Sequence, residues 1–103
     1  MKHLLEILVI DDCPHAGPSR ELAVAALDAL GIAGDPVQRT IRSRESATEN
    51  HFMGSPSFHW DGLDLFPVDG APGLACRVYP RADGRLAGLP TLRALIAAIQ
   101  IRR

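Results

Sequence analysis

An apolar run near the N-terminus, LLEILVI at residues 4–10, most constrains how this chain folds. Such a nearly continuous run is typical of a strand that is covered on both faces. A breaker segment, CPHAGPS, follows it, and the next segment, PSRELAVAALDALG, has the pattern of a helix. Its apolar residues recur at helical spacing, at Leu22, Ala26, Leu27 and Leu30. We therefore predict a strand and then a helix, with Gly31 ending the helix in a left-handed conformation.

The rest of the chain predicts further strands and a closing amphipathic helix. The predicted elements are a strand at 36–43, a short helix or a loop at 44–51, a strand within 52–62, a hairpin partner at 63–66, a strand at 74–80 and a helix at 90–103. The dipeptide Asp61-Gly62 is the turn signal of the hairpin. Pro90 would lie in the first turn of the last helix.

This order of elements predicts an α/β fold. A strand–helix–strand unit implies parallel pairing with a right-handed crossover, whereas strands joined by tight turns pair antiparallel. A mixed central sheet flanked by helices satisfies both requirements. The 103 residues suit a single domain over 1–103 and are enough to bury a core.

Charge and hydropathy exclude several classes of partner. The net charge is −1 and the charged residues of both signs are mixed, so we expect no nucleic-acid surface. No apolar stretch approaches the ~20 residues of a membrane span, so we expect no membrane partner. The N-terminus begins like a signal peptide, but Glu6 interrupts it and no cleavage site follows. We therefore predict a cytoplasmic protein, in which two cysteines are chemically active more often than structural.

The cysteine and proline positions resemble those of the thioredoxin fold over nearly the whole chain. Cys13 begins a CPHA segment after the first strand, and Ser55-Pro56 precedes the third strand. The resemblance implies that Cys13 is a nucleophile at the start of the first helix and that Ser55-Pro56 forms a cis peptide bond facing it. CPHA resembles the C-x-x-C box of that family, with Ala16 in place of the second cysteine. That departure removes the usual resolving thiol.

A second, narrower resemblance is to the alkylmercury lyases. Cys13 and Cys76 look like the two mercury-binding cysteines of those enzymes, which also use an aspartate three residues after the first cysteine. Here that position is Ala16. The resemblance therefore implies a related scaffold and a two-thiol site, and it argues against cleavage of a carbon–mercury bond.

A thiol at a helix start is chemically favoured as the thiolate, which is the reactive form. The N–H groups and partial positive charge of the helix N-terminus would stabilise the Cys13 anion, and a protonated His15 would add to this. Asp11 and Asp12 would oppose it if they face the sulfur. The plainer alternative is an inert, buried cysteine at a strand end. The residues expected to bind substrate are Pro14, His15, Ser55, Pro56 and Arg77. Arg77 would hold an anion or lower the pKa of a thiol. The main chain at the cis bond would be free to bind a substrate chain.

Three functions remain open at this point. In the first, Cys13 attacks a disulfide or peroxide and Cys76 or glutathione resolves the product, with no cofactor and with thiols or disulfides as partners. In the second, Cys13 and Cys76 hold a soft metal ion or an organomercurial. In the third, the chain is a non-catalytic interaction domain. Cys76 is otherwise a small apolar core residue, and three histidines that might add metal ligands lack metal-box spacing: His15, His51 and His59.

Overall fold

A computed structural model of the protein describes residues 3–103. The elements within that range are, in chain order, β1 (Leu5–Val9), α1 (Ala16–Ala29), β2 (Val37–Thr40), α2 (Arg44–Glu49), β3 (Ser57–Trp60), β4 (Leu63–Asp64), β5 (Tyr79–Pro80), β6 (Leu86–Ala87) and α3 (Leu92–Arg102). The ambiguous polar segment after β2 is therefore a helix, α2. Its N-cap is Ser43, whose Oγ accepts a hydrogen bond from the Ser46 N–H at 3.0 Å.

The main sheet is mixed and has the strand order β2-β1-β3-β4. β1 pairs in parallel with β2 and antiparallel with β3, and β3 pairs antiparallel with β4. The predicted mixed α/β fold is therefore confirmed, because α1 links the parallel pair and a tight turn links the last antiparallel pair. β5 and β6 form a separate two-stranded sheet beyond the main one.

The sheet is covered on both faces, as the apolar run of β1 predicts. Alternate residues of β1 point to opposite sides, and each side joins a different apolar cluster. The buried members of the larger cluster are Leu5, Ile7, Val9, Ala23, Ala26, Leu27, Phe58, Trp60, Leu65, Tyr79, Leu95 and Ile99. The smaller cluster consists of Leu8, Ile41, Ala47 and Phe52. Thus α1 and α3 lie on one face of the sheet and α2 lies on the other.

The end of α1 confirms the predicted cap. Gly31 has φ +67°, in the left-handed region, and its N–H donates to the Asp28 carbonyl at 3.1 Å. The Ile32 N–H donates to the Leu27 carbonyl at 2.9 Å, which completes a Schellman motif. This cap turns the chain back towards β2.

The last helix starts later than predicted. Thr91 is its N-cap, and the Thr91 Oγ accepts from the Ala94 N–H at 3.0 Å. Pro90 therefore precedes the cap, and the prediction that it lies in the first turn is wrong. The capping hydroxyl decides the boundary, since it satisfies an N–H that the helix leaves unpaired. No helix within residues 3–103 has both the length and the apolarity needed to cross a membrane.

The strand predicted at 74–80 is shorter in the structure. Only Tyr79 and Pro80 belong to β5, while Cys76 makes an isolated parallel bridge with Ser55. Both hydrogen bonds of this bridge are made by the Ser55 main chain, which donates to Ala75 and accepts from Arg77. A segment that looked like an ordinary strand is therefore joined to the main sheet at a single residue.

Candidate thiol site

Cys13 lies in the turn between β1 and α1. Its side chain is partly buried and packs against the larger apolar cluster. The Cys13 carbonyl accepts a hydrogen bond from the Ala16 N–H at 3.2 Å, and α1 begins at Ala16 with His15 as its N-cap. The expectation that Cys13 opens the helix is therefore wrong: the turn Cys13-Pro14-His15 separates them, because the carbonyl of Cys13 closes a tight turn ahead of the helix. The reading of Cys13 as a deeply buried residue is not supported either.

The His15 side chain lies against the loop that precedes α3. A Cβ atom built on Gly88 would be 2.2 Å from His15 Nε2, so the imidazole rests directly on that glycine. The His15 carbonyl also accepts from the Ser19 N–H at 2.8 Å, within the first turn of α1. Next to His15, Pro14 is exposed. His15 is thus held by α1 and by the Gly88 loop, and it directly follows Pro14 in the chain.

Ser55 connects the start of β3 to the end of β1. The Ser55-Pro56 peptide bond is cis, as the sequence resemblance implied. Ser55 is buried, and its Oγ accepts a hydrogen bond from the Ile10 N–H at 3.1 Å. Ile10 is three residues before Cys13 in the chain. Ser55 therefore sits at the end of the sheet from which the Cys13 turn departs.

The main chain of Ser55 binds the segment that carries the second cysteine. The Ser55 N–H donates to the Ala75 carbonyl at 2.8 Å, and the Ser55 carbonyl accepts from the Arg77 N–H at 2.9 Å. Between these two residues, Cys76 is exposed. Two predictions are corrected by this arrangement. Cys76 is not an apolar core residue, and Ser55 offers no free main-chain groups to a substrate chain.

Arg77 does not take the role that the sequence suggested. Its side chain is buried, with one guanidinium nitrogen donating to Asp64 Oδ2 at 2.8 Å and to Ser57 Oγ at 3.1 Å. The second terminal nitrogen donates to the Phe66 carbonyl, and the guanidinium carbon lies 4.9 Å from the centre of the Tyr79 ring. The prediction that Arg77 holds an anion or assists a thiol is wrong, because the side chain is buried and both terminal nitrogens donate to groups within the fold.

Residues 75–79, which we call the clamp segment, contact residues 54–57, where the chain enters β3, at several points. Gly54 has φ +117°, and a Cβ atom there would be 2.9 Å from Arg77 Cβ. The Tyr79 hydroxyl donates to the Pro56 carbonyl, and burial raises the pKa of the Tyr79 phenol, which keeps that donor protonated. Sequence analysis missed Gly54 and Tyr79. The available signal was the glycine itself, since glycine marks places where two backbones approach closely.

A second polar feature lies on the sheet face that α2 covers. His59 is buried, and its Nε2 has no hydrogen-bond partner within residues 3–103. Burial lowers the pKa of His59, while the carboxylates of Asp64 and Glu6, on the neighbouring strands, partly oppose this. His59 is therefore a neutral side chain in the fold, away from solvent.

The two cysteines are free thiols, and few other metal-binding side chains gather in the described part of the chain. No group of three or more His, Cys, Asp or Glu side chains that could hold a metal ion occurs in the described part of the chain. The histidines at 15, 51 and 59 do not gather with the cysteines into such a group.

The site therefore consists of two thiol-bearing segments joined through one buried serine. The Cys13 turn follows the Ile10 contact, and Cys76 lies in the bridge to the Ser55 main chain. Comparisons of the chain with protein-family models, with curated proteins and with solved structures find no match.

Proposed function

We propose that the chain is a thiol-dependent redox protein with a thioredoxin-like fold, in which Cys13 attacks a disulfide and Cys76 is the second thiol. One observation carries the proposal. Ser55 binds the end of β1 through its hydroxyl and the Cys76 segment through its main chain. Two distant segments thus meet at Ser55, one leading into Cys13 three residues after Ile10 and the other containing Cys76. The β1-α1-β2 unit, followed by α2 and the β3-β4 hairpin, supports the thioredoxin-like part of the proposal.

The reaction is two successive thiol–disulfide exchanges. The Cys13 thiolate attacks one sulfur of the substrate disulfide, forming a mixed disulfide, and the other substrate sulfur leaves as a thiolate that takes up a proton. The Cys76 thiolate then attacks Cys13 Sγ, which releases the second substrate thiol and leaves a Cys13–Cys76 disulfide. Two electrons pass from the protein to the substrate. Low-molecular-weight thiols, which are themselves oxidised to a disulfide, return the protein to its reduced form.

Cys76 takes the role of resolving thiol because the usual position of the resolving cysteine has no thiol in this chain. Ala16 stands where a C-x-x-C box would have its second cysteine. Cys76 is exposed and free, so its thiol is available for a second exchange. We also propose a cytoplasmic location, since reduced thiols are the resting state that this cycle needs and the cytosol maintains them.

Mass spectrometry after reaction with an aromatic disulfide tests the proposal. The wild-type protein should end as an internal disulfide that has lost two hydrogens, with both aromatic thiols released. The Cys76→Ser variant should stop at a mixed disulfide on Cys13. The Cys13→Ser variant is the matched control and should form its mixed disulfide on Cys76 more slowly, which identifies Cys13 as the attacking thiol. A wild-type protein that stops at two separate mixed disulfides would exclude Cys76 as the resolving thiol.

A soft-metal or organomercurial binding function is the second candidate. The observation in its favour is that both thiols are free, and soft thiolate ligands select soft ions. Titration with mercuric ion should then show one ion per chain and weaker binding in both Cys13→Ser and Cys76→Ser. Binding that is unchanged in Cys76→Ser would eliminate the two-thiol site. If neither mercury binding nor disulfide exchange depends on Cys13, the chain is a non-catalytic domain.

A further inference from the structure

A histidine in the middle of the main sheet lies in a row of charged side chains. His59 of β3 is directly opposite Glu6 of β1 and directly opposite Asp64 of β4, so the three side chains are neighbours on one face. Each carboxylate has its own cation, since Glu6 accepts from Arg39 at 2.7 Å and Asp64 accepts from Arg77 at 2.8 Å. The row therefore runs cation, anion, imidazole, anion, cation across the sheet.

The Arg77 guanidinium lies beside the imidazole of His59. Its Nη1 atom donates to Ser57 Oγ at 3.1 Å as well as to Asp64 Oδ2. Ser57 is two residues before His59 in β3, so both side chains point to the same face of the sheet. α2 packs on this face through the uncharged Ala47. A proton added to His59 would therefore place a second buried cation next to Arg77.

This arrangement suits a neutral imidazole and not a protonated one. His59 is 2 % exposed, and its Nε2 atom has no hydrogen-bond partner among residues 3–103. A protonated imidazole has two N–H donors, and burying its charge beside another cation without a hydrogen-bonded partner is strongly unfavourable. The Arg39 side chain is 42 % exposed, so water already screens its charge, whereas the Arg77 side chain is buried. Arg77 is thus the cation that has to move when His59 takes up a proton.

Arg77 is also one of the residues that attach the clamp segment to Ser55. The Arg77 N–H donates to the Ser55 carbonyl at 2.9 Å, and the Ser55 N–H donates to the Ala75 carbonyl at 2.8 Å. Cys76 lies between Ala75 and Arg77. Without the ion pair of the Arg77 side chain, the attachment depends on these main-chain bonds and on the Tyr79 hydroxyl, each of which contributes little by itself.

We infer that protonation of His59 expels the Arg77 side chain from its ion pair and so releases the clamp segment. In this released form Asp64 is free to accept a hydrogen bond from the imidazolium, and Cys76 moves with the segment that leaves Ser55. Mild acid thereby frees the segment that carries the second thiol while the main sheet stays intact. The inference does not depend on the proposed function, because no step in it is a thiol reaction.

The pH range of the release follows from the protons that the two forms bind. Burial lowers the pKa of His59 in the closed form, whereas in the released form the imidazole is hydrated and its pKa returns towards 6.5. Below pH 6.5 the released form therefore binds the proton more readily, and its population relative to the closed form rises by up to about tenfold per pH unit. Above pH 6.5 both forms are neutral at His59 and the ratio is constant.

Hydrogen exchange of single amides, measured by NMR on both sides of pH 6.5, tests the release. The amides of Ser55 and Arg77 report the clamp segment, and the amide of Ile41, which donates to the Val9 carbonyl at 2.7 Å, reports the main sheet. After correction for the intrinsic effect of pH, protection of the two clamp amides should be constant above pH 6.5 and fall by up to about tenfold per pH unit below it. It should stay lower than protection of Ile41 throughout, and the fall should be absent in His59→Gln.

Three results would overturn the inference. The first is protection at Ser55 and Arg77 that does not change with pH. The second is protection equal to that of Ile41 at every pH, because the acid response would then be unfolding of the whole sheet. The third is a fall that persists in His59→Gln. The first two need only the wild-type protein, so they decide the question even if the variant does not fold.

The pKa of His59 gives a reciprocal check, because linkage acts in both directions. Arg77→Met removes the neighbouring cation and frees Asp64, so the pKa of His59, followed by the NMR signals of its imidazole, should rise. Arg39→Met is the matched control, since it removes the cation from the other carboxylate, and its effect should be smaller because water screens that charge. A rise in Arg39→Met that equals the rise in Arg77→Met would overturn the assignment of the release to Arg77.

Discussion

Replacing Gly54 by alanine tests how tightly the clamp segment approaches the entrance of β3. Gly54 has φ +117°, a conformation that costs alanine about 1–3 kcal/mol. The new Cβ would also lie 2.9 Å from Arg77 Cβ and 3.3 Å from the Ala75 carbonyl oxygen. Overpacking of this kind adds about 1–3 kcal/mol, because the nearest atoms are backbone or the first atom of a side chain. We therefore expect Gly54→Ala to lower the free energy of unfolding by about 2–6 kcal/mol.

Gly34→Ala is the matched control for the backbone part of that cost. Gly34 has a similar φ of +108°, but a Cβ there would meet nothing within 4 Å. Urea unfolding of both variants should show Gly54→Ala less stable than Gly34→Ala by about 1–3 kcal/mol. In a thermal melt this difference is at least about 4 °C for a domain of this size. Equal losses in the two variants would refute the close approach of the clamp segment to Gly54.

Two further predictions concern histidines on opposite sides of the sheet. Burial lowers the pKa of His59, so below pH 6.5 the unfolded chain binds a proton at this residue more readily than the folded chain does. The free energy of unfolding should therefore fall as the pH drops below 6.5, by at most about 1.4 kcal/mol per pH unit. Urea unfolding at several pH values should show a shallower fall for His59→Gln; identical pH profiles would contradict this. Gly88→Ala should displace the His15 imidazole, which lies where the new Cβ would be, and should therefore shift the imidazole proton signals of His15 in the NMR spectrum. Unchanged His15 signals would show that the imidazole stays in place.

Much of the fold could be predicted because its signals are local. The apolar run of β1, the helical spacing in α1 and the glycine at position 31 each depend on neighbours within a few residues. Backbone stereochemistry alone favours Gly31 at a left-handed cap. Helix starts were less certain, since the Thr91 cap and the Cys13 turn depend on which N–H groups find partners.

The candidate site could be predicted only in part. The sequence pointed to Cys13, to Cys76 and to the cis bond at Ser55-Pro56. It gave Arg77 the wrong role, because a charged residue beside a cysteine looks like an electrostatic partner when nothing shows which side of the chain it faces. The structure turns Arg77 towards Asp64 and makes it part of the clamp segment.

The sequence by itself determined the order of strands and helices, the mixed pairing of the sheet and the existence of two thiols. These follow from periodicity and chain connection, which are properties of a contiguous stretch. Only the tertiary structure decided that the Cys76 segment pairs with Ser55 and occupies the main-chain N–H and carbonyl of that residue. That pairing joins residues 21 positions apart in the sequence through backbone groups, and every residue type except proline has the same backbone donor and acceptor.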